Sequence, residues 1–502
     1  MERMLKLKAY LLALVLGLAG APGIYAQSSG SQSQNPSGQE PAQPTQPQQP
    51  AKSPDDKGDK TNQDQLPTPP VVAGTSNDAP ITGASQPIIG LVASRSYVVP
   101  SVYFFGQLDS NGNNSGNNNF TSINTIMGSL AVQKVGRASQ FDLGYLAGRS
   151  FSNQSGAFNS TTQEAAASEV WTRGRWDGFI LDKFLYSSQA AFLGGATPFD
   201  VSGLNTVAGL ANTGPVVLRN SFLPGQGIFT VFGPRLSNTL VAQVNNHLSR
   251  RTFFTLVGNY ELLHFFNSNL INSSAAGFQA GLGYQRSRRD TFAVVYRFND
   301  LWFSGMPVSI RDNVVEGAYE RQVGERLLFQ IGAGPEITFI HEPNLALTTS
   351  SDTRVSWAVD SLIRYQVRRD VGVSAGYDHF LSSGSGVFLG SITDRVFAEM
   401  SRQLSRAWTM NLTFSYARNR NLIPFFSPTL TAPTNSTFDS IYGIAEFRRR
   451  IGRDSELFFG YLGRYQTSSV VPCAQGVCTG PSLVGHQFNF GFAWHLKPVP
   501  IG

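Results

Sequence analysis

The chain is predicted to fold as an all-β, antiparallel up-and-down barrel of about 18 strands that crosses a membrane. Three observations carry this: an alternating aromatic segment near the end, connections sorted into short and long classes, and low charge without a long apolar run. In Gly485–Leu496, GHQFNFGFAWHL, the residues Phe488, Phe490, Phe492, Trp494 and Leu496 occupy every second position. Asn489, Gly491, Ala493 and His495 lie between them. Alternate side chains of a strand point to opposite faces. A membrane barrel gives the apolar face to lipid and the small, polar face to a wet lumen. Charged residues make up 14% of the chain and aromatics 12%, against roughly 25% charged in soluble domains.

The first segment is not part of the barrel. Arg3, Lys6 and Lys8 precede the apolar run Ala9 to Ala21, and Ile24-Tyr25-Ala26 offers a small residue for cleavage. This is the layout of a secretory signal peptide, residues 1–26, and its apolar run is too short to span a bilayer as a helix. Cleavage after Ala26 is expected, and the absence of a nearby Cys speaks against a lipid anchor. The formal charge of +6 then falls to about +4 as three basic residues and one Glu leave. That is no case for nucleic acid as a partner. Residues 27–89 are rich in Gln, Pro, Ser, Asn and Asp. They cannot bury enough apolar surface to offset their ordering entropy. A disordered periplasmic tether is expected there, either a plain spacer or a hold on a periplasmic partner. The barrel is assigned to residues 90–502.

From about Tyr97 one unit recurs: an alternating segment, a short Arg-containing turn, and a second alternating segment. The turns are Lys134–Ala138, Arg173–Asp177, Leu248–Arg251, Arg286–Asp290, Gln322–Arg326, Val367–Asp370, Arg402–Arg406 and Arg448–Asp454. Longer polar connections alternate with them, among them Asp109–Asn119, Ser152–Thr162, Asn267–Ser274, His341–Asp352, Asn419–Thr437 and Thr467–Leu483. Short turns at one end and long loops at the other are the mark of outer-membrane barrels, with the short turns periplasmic. Trp408, Met410, Leu412, Phe414 and Tyr416 alternate with Thr409, Asn411, Thr413, Ser415 and Ala417. Trp408, Tyr416, Tyr284 and Trp494 stand near strand ends, where interfacial aromatic girdles lie. With both chain ends in the periplasm, eight tight turns require nine outer loops and 18 strands, the first near Tyr97–Leu108. Pro100 removes one ladder donor from that strand. If the first pair lies outside the wall, 16 strands remain.

One connection differs from the rest. Residues 189–235 form a long Gly/Pro-rich, weakly charged loop with Phe199, Leu218, Phe222, Phe229 and Phe232. Such a loop would be poorly solvated outside the cell. The chain here resembles the bacterial general porins, whose third outer loop folds inwards as a constriction. The resemblance covers architecture from about Tyr97 to Leu496 and no specific motif. It implies that 189–235 narrows the lumen, the alternative being a surface cap. A porin-like homo-oligomer is implied by the same analogy. The closing strand also resembles the C-terminal signal read by the barrel-insertion machinery, although Lys497–Gly502 follows it where the signal usually ends on an aromatic.

Strand register places a mixed set of charges on the lumen side: Asp142, Glu261, Arg297, Glu316, Glu320, Glu336, Arg354, Asp360, Arg364, Asp378, Arg395, Glu399 and Glu446. Glu261, Glu316, Glu320 and Glu336 come earlier along the wall than Arg354, Arg364 and Arg395. This order is compatible with a transverse field across a pore, and equally with pairwise ion bridges. The Arg-rich turns read as solvated residues that fix orientation, or as contacts to anionic headgroups of the membrane lipid.

Catalytic readings are weak. His247-Leu248-Ser249 has the His-x-Ser spacing of outer-membrane lipid deacylases but falls at a periplasmic turn. Asp378 and His379 are strand neighbours and point to opposite faces. His486 and His495 have no evident nucleophile. The expectation is therefore no enzyme, no cofactor and no metal. Cys473 and Cys478 are the only cysteines; in an exported protein such a pair forms a local disulfide, and two thiolates fall short of a usual metal site. The leading functional expectation is an outer-membrane pore for passive diffusion of small hydrophilic solutes. The alternatives are an export barrel for an exopolysaccharide or similar polymer, and a plugged barrel whose outer loops bind at the surface.

Overall fold

The computed structural model describes residues 96–501, apart from 111–119, 153–159, 188–233, 267–269, 342–351, 424–436 and breaks at 369, 383–385, 387, 453, 469–472, 475–476 and 479–481. The signal peptide, the tether and the loop candidates Phe199, Leu218, Phe222, Phe229 and Phe232 lie outside the described residues.

Eighteen strands form one closed antiparallel wall. They begin with β1 (Tyr97–Asp109), β2 (Thr121–Val135), β3 (Ser139–Ser152), β4 (Ser160–Arg173), β5 (Trp176–Ser187) and β6 (Arg235–His247). Next come β7 (Thr252–Phe265), β8 (Ser273–Gln285), β9 (Asp290–Phe303), β10 (Ser309–Val323), β11 (Leu327–His341) and β12 (Asp352–Arg368). The wall ends with β13 (Val371–Ser382), β14 (Ser391–Gln403), β15 (Trp408–Asn421), β16 (Thr437–Arg450), β17 (Ser455–Ser468) and β20 (Ser482–His495). Between the last two lies a two-residue hairpin, β18 (Cys473–Ala474) and β19 (Val477–Cys478), and β21 (Val499–Pro500) follows the closing strand. Each wall strand pairs with its sequence neighbour, and β1 pairs with β20 to close the ring. No helix among the described residues is long and apolar enough to cross a membrane; the crossing elements are strands.

The count follows from the turns. Eight short connections join β2 to β3 and every second pair thereafter, as the Arg-containing turns predict. Between β4 and β5, Arg173 pairs directly with Trp176, so Gly174 and Arg175 make the whole turn. Gly174 stands at φ +62°, the left-handed region that hairpin turns of two residues demand and that glycine enters without steric cost.

Alternation sorts the side chains. Along β20, Phe488, Phe490 and Trp494 are exposed on the outside while Gln487, Asn489, Gly491, Ala493 and His495 are buried inside. Val355 and Trp357 are 75% and 68% exposed on the outer face of β12, which makes sense only for a surface that meets lipid. The small lumen residues of the closing strand have a structural use. A Cβ at Gly491 would come within 2.2 Å of the Phe458 ring and 2.5 Å of Phe105, so glycine lets both rings lie across the seam. They pack there with Tyr103, Met127, Leu146 and Ala493, an apolar patch inside the wall where β1 meets β20. Pro100 does not interrupt β1; it pairs with Leu130, and its carbonyl accepts the Leu496 N–H.

Candidate functional site: the lumen and its outer mouth

The site is the inward face of the wall. Glu261, Arg297, Glu316, Glu320, Glu336, Arg354, Arg364, Arg395 and Glu399 all stand on the inward-facing register of their strands. Between β9 and β14 the structure brings eight of these nine into one continuous band. Arg297 and Glu316 lie 3.7 Å apart, and Asp312, Glu336 and Asp360 add negative field at the same guanidinium. Arg395 donates to Asp378, Ser356 donates to Glu336, Gln330 to Glu320, and Ser374 to Glu399. Arg354 bonds Asp352 near the outer end. The two signs interleave: Asp360, Asp378 and Glu399 stand among the arginines. In this band Asp312, Glu316, Glu320, Glu336, Asp352, Asp360, Asp378 and Glu399 outnumber Arg297, Arg354, Arg364 and Arg395. Glu261 stands apart on β7.

Other inward charges escaped the sequence reading. Lys183 and Glu164 meet at 3.3 Å between β5 and β4. Arg448 bridges Glu456 and the expected lumen residue Glu446 at the lower lumen, and Arg464 binds Asp109 beside the seam. Asp312 belongs to this group. Each sits where strand alternation predicts; only the pairing across strands reveals its role.

The outer mouth carries the other feature. The connection between β13 and β14 turns inwards and touches opposite walls. The Gly386 carbonyl accepts the Ile271 N–H at 2.9 Å, and a Cβ at Gly386 would meet the Phe265 ring of β7 at 2.4 Å. Two positions on, the Phe388 ring packs edge-on against Phe438 of β16, with centroids 5.1 Å apart. β7 and β16 are nine strands apart in a ring of eighteen, hence opposite each other. Gly390 then backs onto Ile310 of β10, and its carbonyl accepts the Leu422 N–H. Ile310, Phe303, Val308, Leu381, Leu422 and Ile423 close over this end as a buried apolar cluster. Gly386 and Gly390 hold φ values of +82° and +75°, which the reversal into the mouth requires. In sequence this segment is marked by Val387-Phe388-Leu389, an apolar triplet within a short connection between strands.

The catalytic spacings dissolve. His247 bonds Asp177 at 2.8 Å, while Ser249 Oγ accepts the N–H groups of Arg251 and Thr252 in the turn. Asp378 faces inwards to Arg395, and His379 faces outwards to Asp394. Among the described residues no group of His, Cys, Asp and Glu could hold a metal ion. Cys473 is the direct backbone partner of Cys478 in the two-stranded hairpin.

No family model matches the chain, and no curated protein matches it in sequence. Solved structures do share the architecture. The FrpB iron transporter from Neisseria meningitidis aligns over 83% of this chain and 83% of its own, at 7% identity and TM-score 0.42. OccK2 from Pseudomonas aeruginosa aligns over 80% of this chain and 98% of its own, at 8% identity and TM-score 0.40. OccAB3 from Acinetobacter baumannii aligns over 81% and 100%, at 10% identity and TM-score 0.40. Identity and TM-score are too low for any solute or mechanism to pass from these proteins to this chain.

Proposed function

We propose that this chain is an outer-membrane pore through which small hydrophilic solutes diffuse, with a lumen that favours cations. The observation that carries the reading is the pairing of a lipid-compatible outer face with a charged inner band in which carboxylates exceed arginines. A closed wall of eighteen strands is of the size that leaves an aqueous channel, and passage through it needs no chemistry. A surplus of fixed negative charge in a confined, low-dielectric lumen raises the local concentration of cations and lowers that of anions. The inward β13–β14 loop supplies a constriction at the outer mouth, whatever the 189–235 loop adds. Interleaved ion pairs of both signs speak against a lumen dedicated to exporting a charged polymer.

The test is the conductance of the purified, heat-modifiable barrel in planar bilayers under a potassium chloride gradient. A stable conductance with a cation-selective reversal potential is expected. Neutralising the band with D312N, E316Q and E336Q together should move that potential towards zero. A barrel that conducts nothing, or that prefers anions, defeats the proposal.

A further inference from the structure

We infer that the periplasmic half of the lumen holds a binding site for zwitterionic α-amino acids with apolar side chains, built around Arg364. The inference rests on the pore proposed above and names one class of solute for it. Arg364 faces the lumen four residues before the periplasmic end of β12. Its backbone partners are Leu328 on β11 and Ser374 on β13. Arg297 and Arg395 each meet a carboxylate. Arg364 forms no ion pair among the described residues, and its Nε is buried without an acceptor. The carboxylates whose field reaches it are Glu399 and Glu320, and neutral donors engage both. Gln330 donates to Glu320 Oε2 at 2.6 Å, and Ser374 donates to Glu399 Oε2 at 3.2 Å. Glu320 stands directly opposite Gln330, and Glu399 directly opposite Ser374. The guanidinium is thus set between two carboxylates and bonded to neither.

Such an arrangement suits a solute that brings both signs at once. A carboxylate takes paired, charge-assisted N–H bonds from a guanidinium. An ammonium group has three donors and no acceptor. Glu320 offers it an anionic oxygen, and the buried Gln330 Oε1 accepts no hydrogen bond within the chain. An unanswered donor and an unanswered acceptor, each costly when left so, therefore stand on adjacent strands. An α-amino acid carries its two charged groups on one carbon, which matches a guanidinium with carboxylates as near neighbours. A simple amine leaves Arg364 unanswered, and a simple carboxylate meets the repulsive field of Glu320 and Glu399. The remaining side of the site is apolar. Leu328 and Leu362 share the inward register of Arg364 and Gln330, and both are partly exposed. The Phe397 ring lies over Gly376, where a Cβ would come within 2.5 Å of it. The Arg395 guanidinium stands over the same ring at 4.9 Å. Gly376 pairs with Leu362, which puts the ring beside that leucine.

The experiment compares three matched probes on the full chain in planar bilayers: leucine, 3-methylbutylamine, which lacks its carboxylate, and 4-methylpentanoate, which lacks its ammonium. Leucine is expected to interrupt the current at a concentration about tenfold below that of either analogue, the worth of one charged hydrogen-bonding group. R364Q should raise the leucine concentration needed to that of the amine, and E320Q should raise it to that of the carboxylate. Conduction by each variant shows that its barrel has formed. Leucine that acts no better than the stronger of its analogues overturns the inference. So does a leucine response that R364Q leaves unchanged. Equilibrium dialysis of the same probes against the detergent-solubilised barrel separates this result from failure of the pore. A barrel that conducts nothing defeats the pore reading, whereas equal retention of all three probes in dialysis defeats the site.

Discussion

At the scale of single residues, two side chains concentrate the argument. Arg297 is 2% exposed and faces Glu316, with Asp312, Glu336 and Asp360 around it. Replacing it by Gln leaves a set of confined carboxylates without their counter-charge. Breaking a buried pair in this way costs about 3–5 kcal/mol. R297Q should therefore lower the temperature at which the folded band on a gel gives way to the unfolded one, and should strengthen cation preference in the same bilayer assay. An unchanged transition would mean that the band does not depend on Arg297. Gly386 is the second. A β-branched residue at its φ of +82° would be strained by about 1–2 kcal/mol, and its Cβ would overlap the Phe265 ring. G386V should expel the loop from the mouth and raise single-channel conductance. Conductance equal to that of the wild type would remove this loop as the constriction.

At the scale of elements, the last residues extend the barrel rather than trail from it. Val499 and Pro500 pair with Val98 and Tyr97, and the Ile501 N–H reaches the Ser96 carbonyl. The register from Ser101↔His495 to Asp109↔Gln487 remains without them. Each lost bond is worth about 1 kcal/mol. Deletion of 497–502 should thus lower the gel transition modestly while leaving a folded barrel; complete loss of folding would show that the tail, not β20, closes the ring. The β18–β19 hairpin makes a covalent prediction. Directly opposed residues of an antiparallel pair have Cα atoms about 4.5–5.5 Å apart, inside the range of about 4.4–6.8 Å that a disulfide spans. We propose that Cys473 and Cys478 are bonded. Without reductant a maleimide should then label neither cysteine, and labelling of both would rule the bond out.

At the scale of the whole molecule, the wall was legible in one dimension. Eight Arg-containing turns and a period of two give the strand count, the strand limits within a few residues, and the face on which Glu316, Arg395 or Phe490 stands. Side-chain direction in a strand is a local property of the backbone, so no tertiary information was needed. The lumen charges were legible as a set but not as partners. Arg297 meets Glu316 because β9 and β10 are neighbours, yet Arg464 meets Asp109 across 355 residues of sequence. The inward β13–β14 loop was missed because its contacts lie on β7 and β16, which no local pattern relates.

Sequence alone therefore determined the class of fold, the sorting of loops to two ends and the division of every strand into lipid and lumen faces. These follow from alternation and turn chemistry, which act over a few residues. The tertiary structure decided what those faces confront. Closing eighteen strands into a ring puts β7 opposite β16, so that Gly386 and Phe388 can bridge them. It lays Phe105 and Phe458 over Gly491 at the seam. Each is a relation between distant segments, fixed only when the ring closes and every strand acquires an opposite wall.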